Sequence, residues 1–466
     1  MSFLNLLHRV QSRNDNHLLA GANCAEDSEI MIKYTEHLRE EMKEIENVSL
    51  TTKNAHKVTF KFSLLPSDMK WMSKMAGELN NAATFFSTFA NVTKDNKSTI
   101  DGSIGGKGAT WQEWKYSERV KVAKKVDDFK SKLKDPDGKE RAKVTKFIAS
   151  QNSRQEFSPP LGQYVDLFKA EPLHCTNNAW QYWFSILLAI STQYTNKNVL
   201  KSVKTFAEMP KDSPLVKFLN CIKNNVKCGR LYNAVVRWFN EKRKTGVDFS
   251  YRFTGLESKH FAWYFAYPIK ILLTIPKLSK GTHLKLHTLQ YTAINLRDAI
   301  SIYTRVNVDE NDLQALKTLC QNFFIAVSLL LQGVNPTTWT IGYAITHHAN
   351  QLYKQLGYGL GLNSMQGREA KHITLKQYVE NTCKGRKHQR WWTVFRHEYV
   401  STIWLRSMDP FCVSYGGNKN KSKNSYIPEQ VVNQQNCYCG LPRNDCGVCS
   451  SETMDAVKKV NKKARY

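Results

Sequence analysis

The chain has 466 residues, of which 41% are hydrophobic and 23% charged. That apolar content is enough for a folded core and excludes disorder throughout the chain. Lysine and arginine total 67, and aspartate and glutamate total 40, so the formal net charge is +27. A surplus of this size favours a polyanionic partner, with an anionic membrane surface as the second choice.

Membrane and export signals are weak. No stretch reaches the roughly 18 uninterrupted apolar residues of a spanning helix. The closest run, Phe323–Leu331, is typical of a buried helix. The first ten residues lack a signal-peptide core and a cleavage site. We therefore expect an intracellular protein without a membrane partner.

The first elements in the chain are a helix, a strand and a second helix. Glu26–Glu46 mixes acidic and basic residues and predicts a solvated helix. His56–Leu65 alternates apolar and polar residues, which predicts a half-buried strand. Pro66 and Ser67 break that strand, and Asp68 then precedes a segment with helical spacing of its apolar residues. Asp68 therefore lies between a strand and a helix.

The segment from Lys115 to Lys146 is dense in lysine and arginine and predicts an exposed helical region. Such a region can follow a nucleic-acid backbone, although a merely solvated charged face is the slightly stronger interpretation. The candidate DNA contacts are Lys115, Arg119, Lys121, Lys124 and Lys125.

Residues from Leu161 to Leu331 follow mostly helical spacing. The fold class that we predict is α/β: a partial α/β core, interrupted by a large helical insertion, with a small C-terminal zinc module. The predicted boundaries are 1–110 and 341–412 for the two parts of the core, 111–340 for the insertion, 413–436 for a mobile linker, and 437–466 for the cysteine-rich module with its basic tail.

Four of the 11 cysteines lie close together, as Cys437-Tyr-Cys439 and Cys446-Gly-Val-Cys449. Two close cysteine pairs with glycine in or beside the turns suit tetrahedral Zn²⁺, and four thiolates close its coordination sphere. We therefore predict a structural zinc ion. The alternative is four free cysteines in a tail, and the first pair has one intervening residue where two are commoner.

Two distant carboxylates could carry chemistry. Asp68 and Glu369 each lie beside a turn that leads into a helix, and carboxylates there could hold Mg²⁺ or Mn²⁺ for phosphodiester cleavage. Spacing alone is weak evidence for such a site. The alternatives are a helix cap for Asp68 and a surface salt bridge for Glu369.

Three segments, taken in order, resemble one family. They are Leu65–Leu79, which contains Asp68, Glu171–Trp180, which contains Leu173-His174-Cys175, and His348 followed by Gln366-Gly-Arg-Glu369. Together they resemble the catalytic chain of the V(D)J recombination-activating recombinase and the related cut-and-paste transposases. The resemblance implies an RNase H-like core with a helical insertion before the last catalytic acid. It implies that Asp68 and Glu369 are catalytic metal ligands and that His174 supports them. The alternative for His174 is an ordinary buried histidine.

The chain departs from that family in two places. We find no strand-borne aspartate before Asp68 that matches the family's first catalytic acid, since Asp15 and Asp27 lie in polar surroundings. Where the family has a Cys-x-x-Cys zinc pair, this chain has Phe86-Ser-Thr-Phe89, so a histidine ligand at 347 or 348 would lack its cysteines.

The leading hypothesis is therefore a transposase-derived DNA-binding protein, nuclear, with reduced or absent nuclease and strand-transfer activity. It would contain structural zinc, bind DNA and form a homodimer. One alternative is an active Mg²⁺-dependent or Mn²⁺-dependent transposase or endonuclease. The other is a zinc-stabilised interaction protein, which leaves the +27 charge unexplained.

Overall fold

The computed structural model describes residues 11, 16, 28–331, 333–383, 385–408 and 425–465. The chain divides into two compact units, one of Met1–Pro172 with His347–Lys419 and one of Leu173–Thr346 with Asn420–Tyr466. This division differs from the predicted boundaries, because residues 111–172 belong to the first unit and the cysteine-rich module belongs to the second. The first ten residues, Asp15, Asp27 and part of the predicted linker lie outside the described residues.

The described residues are mostly helical. In chain order the helices are α1 (Glu29–Asn47), α2 (Met69–Met75), α3 (Tyr116–Lys130), α4 (Arg141–Ser150), α5 (Pro172–Gln193), α6 (Lys197–Ser202), α7 (Pro214–Asn224), α8 (Gly229–Glu241), α9 (Gly255–Tyr264), α10 (Ala266–Leu273), α11 (Lys280–Tyr303), α12 (Glu310–Ala326), α13 (Pro336–Trp339), α14 (Ile345–Leu356), α15 (Gln366–Gln377), α16 (Lys387–Met408), α17 (Glu429–Val432) and α18 (Glu452–Lys463). Wider π turns occupy Val327–Leu331, Thr340–Ala344 and Tyr378–Thr382, and 3₁₀ turns occupy Gly162–Leu167, Phe206–Glu208, Arg243–Thr245, Leu360–Asn363 and Arg443–Asp445. The helix predicted over Glu26–Glu46 is confirmed by α1.

Strands are few and short in the described part of the chain. β1 (Ser49–Thr51) pairs antiparallel with β2 (Lys57–Thr59), and β3 (Ile104–Gly105) pairs parallel with β4 (Trp111–Gln112). The described residues therefore do not show the predicted RNase H-like α/β core. The predicted strand over 56–65 is too long, because beyond Thr59 the backbone leaves the ladder and the Phe62 N–H donates to Glu46 Oε1 at 2.8 Å.

The first unit has a small core between α3 and α4. Val126, Val144 and Ile148 are buried there, and the rings of Phe129 and Phe147 stack with centroids 4.2 Å apart. Beside this core lies a buried ion cluster. Glu78 contacts Arg119 through Oε1, and its Oε2 lies 3.0 Å from Arg154 Nε. The side chain of Glu78 is fully buried, so the two guanidinium groups supply the charge that offsets its loss of hydration.

The second unit is built around aromatic packing between α5, α9 and α10. The members of this cluster are Trp180, Trp183, Phe184, Phe261 and Phe265. Helix α12 begins with a capping box, in which Asp309 and Asp312 each accept the other's backbone N–H. The helical segment Glu310–Leu331 is long and apolar enough to cross a membrane by length and composition alone, and buried core helices pass the same test.

Candidate functional site

The four clustered cysteines converge in the structure. The sulfur atoms of Cys437, Cys439, Cys446 and Cys449 all lie within 4.8 Å of one another. In a tetrahedral thiolate site with bonds of about 2.3 Å, the sulfurs are roughly 3.8 Å apart, so this spacing fits a metal ion such as zinc. Among the described residues, these four cysteines are the set of three or more potential ligands that lie close enough together to hold a metal ion. The prediction that these four cysteines form one cluster is confirmed.

A tight turn aims the first cysteine pair. The Gly440 N–H donates to Cys437 O, and the Cys437 N–H donates to Leu441 O, both at 2.8 Å. Gly440 has a φ of +98°, which favours glycine. A Cβ at this position would lie 2.9 Å from the carbonyl oxygen of Trp263, so glycine also permits the turn to pack against α9.

Helix α11 anchors the cysteine cluster. Arg297 Nη1 donates to Tyr438 O at 2.8 Å, and its guanidinium lies 5.0 Å from the centroid of the Tyr438 ring. The Tyr438 hydroxyl donates to Asp298, and Gln290 Nε2 donates to Cys449 Sγ at 3.5 Å. A hydrogen bond of this kind orients a ligating side chain and tunes a bound metal.

Within the described part of the chain, the cluster offers four thiol ligands and no other titratable group. Hydrogen bonds from the Cys439 and Cys449 thiols lower the pKa of Cys446, while the pKa values of Cys439 and Cys449 are raised. If all four sulfurs bind zinc, no coordination position is left for water or a substrate. The site would then stabilise the fold of this segment on α11 and would not catalyse a reaction.

In the first unit, the segment 168–171 contacts parts of the first and third resemblance motifs, and its last residue, Glu171, begins the second motif. The ring of Trp71, in the helix that Asp68 begins, packs edge-on against Phe168 with centroids 6.4 Å apart. The Ala170 N–H donates to His348 Nδ1 at 2.9 Å. The Met365 N–H donates to Glu171 Oε1 at 2.7 Å, immediately before α15. The first and third motifs, which are distant in sequence, are therefore both in contact with this segment of the first unit.

The predicted catalytic residues have different structural roles. Asp68 is the N-cap of α2, and its Oδ1 accepts the Trp71 N–H at 2.8 Å. Glu369 is in the first turn of α15, where its carboxylate lies 3.9 Å from His372 Nδ1. His174 is half-buried in the first turn of α5, in the second unit. The two alternatives for the carboxylates, a helix cap and a surface contact, are thus both seen.

The aromatic pair at the position of the family's zinc pair is buried. Phe86 and Phe89 are both in the core, and the ring of Phe89 packs edge-on against His348 with centroids 4.8 Å apart. Burial lowers the pKa of His348 well below its usual range, and the positive charges of Lys169 and His347 act in the same direction. His348 is therefore neutral, and because its Nδ1 accepts a hydrogen bond, its proton is on Nε2.

A polar cluster that the sequence did not reveal lies beside His348. Glu113 Oε1 contacts His347 Nε2 and accepts from Gln351 Nε2, each at 2.6 Å. The hydrogen bond from His347 is the largest cause that lowers the pKa of Glu113 from 4.5 to about 2. Lys169 Nζ donates to Gln351 Oε1 at 2.9 Å, and burial lowers the pKa of Lys169. Positions 113 and 347 are 234 residues apart, so no local pattern could have paired them.

The candidate DNA contacts divide into two groups. Lys121, Lys124 and Lys125 are exposed on one face of α3. Lys115 is also exposed, with Nζ 3.4 Å from Glu113 Oε2. The prediction for Arg119 needs correction, because its side chain is only 4% exposed and is paired with Glu78. A buried guanidinium with its charge already compensated cannot neutralise a phosphate.

Sequence comparison adds no relative: no protein-family model and no curated protein matches the chain.

Proposed function

We propose that the protein is a nuclear, transposase-derived DNA-binding protein with reduced or absent nuclease and strand-transfer activity. The observation that most supports the proposal is that residues 168–171 contact the first and third motif segments, while Glu171 is itself the first residue of the second motif. A shared ancestry with the recombinase family would account for this proximity and for the order of the motifs. The proposed ancestral fold is an RNase H-like core.

DNA binding rests on charge. The net charge of +27 and the exposed lysines of α3 provide the contacts that phosphates need. Lys121, Lys124 and Lys125 recur at spacings of three and four, which places them on one side of the helix. Their opposite side is buried through Ala123 and Val126, so the lysine face is directed away from the core.

The proposal of reduced catalysis rests on the carboxylates of Asp68 and Glu369. One oxygen of Asp68 is already occupied as a helix cap, and the Glu369 carboxylate lies beside a histidine. The sequence offers no match to the family's first aspartate. Two carboxylates offset the dehydration of Mg²⁺ less well than three, because each ligand lost removes negative charge.

The test of DNA binding compares two triple variants. Lys121→Gln/Lys124→Gln/Lys125→Gln should weaken duplex binding and reduce the slope of log affinity against log salt by roughly 3, since each phosphate contact contributes about 0.9. The matched control replaces the exposed lysines at 53, 57 and 61. An equal loss in both variants would show that the α3 face is not the binding surface.

The alternative of an active enzyme is favoured by the proximity of the segments that carry Asp68 and Glu369. Its test is nicking of supercoiled DNA with Mn²⁺, which accepts oxygen ligands and supports the same chemistry. We expect no nicking. Nicking that disappears in both Asp68→Ala and Glu369→Ala would establish the enzyme and refute the loss of catalysis.

A further inference from the structure

Helix α16 presents large aromatic side chains to solvent. Trp392, Tyr399 and Trp404 are 68%, 67% and 58% exposed. The neighbouring Trp391 instead packs against a small core formed by Leu375, Cys383 and Val394. One side of the helix is therefore packed against this core, and a second, aromatic side is exposed. We define the α16 aromatic face as Trp392, Arg396 and Tyr399.

The charge on this face is positive. Arg396 is exposed one turn after Trp392, and no ion pair of Arg396 is seen among the described residues. Glu398 is the only acidic residue in the sequence from 387 to 408, and it is buried against Lys371 with a second hydrogen bond from Thr402 at 3.0 Å. The negative charge of Glu398 is thus compensated by Lys371 inside the first unit, whereas Arg396 is exposed.

The spacing on the face suits a nucleic-acid strand. Trp392 and Tyr399 are seven residues apart, so they project from nearly the same side of the helix at a separation of about 10 Å along its axis. Arg396 lies between them. Aromatic rings stack on unpaired bases, and an interspersed arginine contacts the backbone, which is the combination that binds single strands without sequence preference.

We propose that the α16 aromatic face binds single-stranded DNA. The occupant follows from charge complementarity: two copies of this chain would bring like charges together, whereas a DNA strand supplies both phosphates for Arg396 and bases for the rings. Duplex DNA offers stacked bases that exposed rings cannot reach without unstacking them. This inference deepens the proposed DNA-binding function and rests on it.

The test measures the affinity of the full chain for a fluorescent 20-nucleotide poly-dT strand and for a 20-base-pair duplex. Trp392→Ala/Tyr399→Ala should weaken single-strand binding by about 25-fold or more, since each of the two stacked bases contributes a factor of about five or more, and should change duplex binding less than twofold. Trp392→Phe/Tyr399→Phe retains the rings and should retain most of the affinity. The control Thr393→Ala, at an exposed position of the same helix, should bind like the unaltered protein.

The outcomes separate this inference from the proposed function. Duplex and single-strand binding that are both unchanged in the alanine variant would refute the α16 site alone. An absence of binding to either DNA would refute the proposed function as well. Sedimentation of each variant tests the competing occupant: a dimer that dissociates when the two rings are removed would show that a second copy covers the face. Binding to anionic vesicles that is lost with the rings, with poly-dT binding unaffected, would likewise overturn the proposal in favour of a membrane surface.

Discussion

Replacement of Glu78 by glutamine tests the reassignment of Arg119 from a DNA contact to a structural residue. Glu78→Gln preserves the shape of the side chain and removes its charge. Arg119 and Arg154 are 4% and 1% exposed, and both guanidinium groups contact the Glu78 carboxylate. The variant would leave two like charges in the core of the first unit without their counter-charge. Burial already lowers the pKa of Arg154, and the Glu78 charge opposes that effect.

The expected loss of folding stability in Glu78→Gln is large. Removal of one partner from a buried ion pair costs about 3–5 kcal/mol, and the free energy of unfolding of a domain is about 5–15 kcal/mol. With a urea m-value of roughly 3 kcal/mol/M, the midpoint of unfolding should fall by about 1 M or more. Arg119 also donates to the carbonyl oxygen of Thr88 at 2.9 Å. This hydrogen bond would hold the Arg119 side chain in place in the variant but would not neutralise its charge.

The assay is urea unfolding followed by fluorescence, with Glu118→Gln as the matched control on the same helix as Arg119. Glu118 is exposed, so its replacement should change the free energy of unfolding by less than about 0.5 kcal/mol. Arg119→Gln should likewise destabilise the protein and leave the DNA affinity of the folded fraction unchanged. A loss below about 1 kcal/mol for Glu78→Gln, or a DNA defect without a stability defect for Arg119→Gln, would refute the reasoning.

Two further predictions concern the metal and pH. The purified protein should contain about one equivalent of zinc by metal analysis. The zinc should be lost in Cys446→Ser/Cys449→Ser and retained in Cys175→Ala, which lies outside the cluster. Full retention of zinc in the double variant would place the metal elsewhere. Because the folded pKa of Glu113 is about 2, below its ordinary 4.5, its contribution to stability is present above about pH 4.5 and is lost as the pH falls toward 2. Thermal unfolding between pH 6 and 3 should therefore show a smaller acid-induced drop for Glu113→Gln than for Glu118→Gln, and equal drops would contradict the assigned hydrogen bond.

Local features were predictable from the sequence. The cysteine cluster was found because its ligands lie within one short segment, so their spacing already limits their geometry. The cap at Asp68 was an open alternative because a proline break, an aspartate and a helical apolar pattern follow one another directly. These signals need no knowledge of how distant parts of the chain meet.

Features that depend on distant contacts were missed. Arg119 was grouped with exposed lysines by its charge, although it lies in line with Ala123 and Val126 on the buried side of α3, and that spacing was the available signal. The predicted strand after His56 has the expected alternation, but a ladder also needs a neighbour, which only β1 provides. The contact between Glu113 and His347 joins two segments that share no pattern.

The central claim is that this chain binds DNA through its positive charge. The measurement that tests it most directly is the affinity of the unaltered protein for a mixed-sequence duplex between about 50 and 200 mM salt. The account predicts that log affinity falls linearly with log salt, by orders of magnitude over this range, with little dependence on sequence. An affinity that does not change with salt, or no binding at 50 mM, would contradict it.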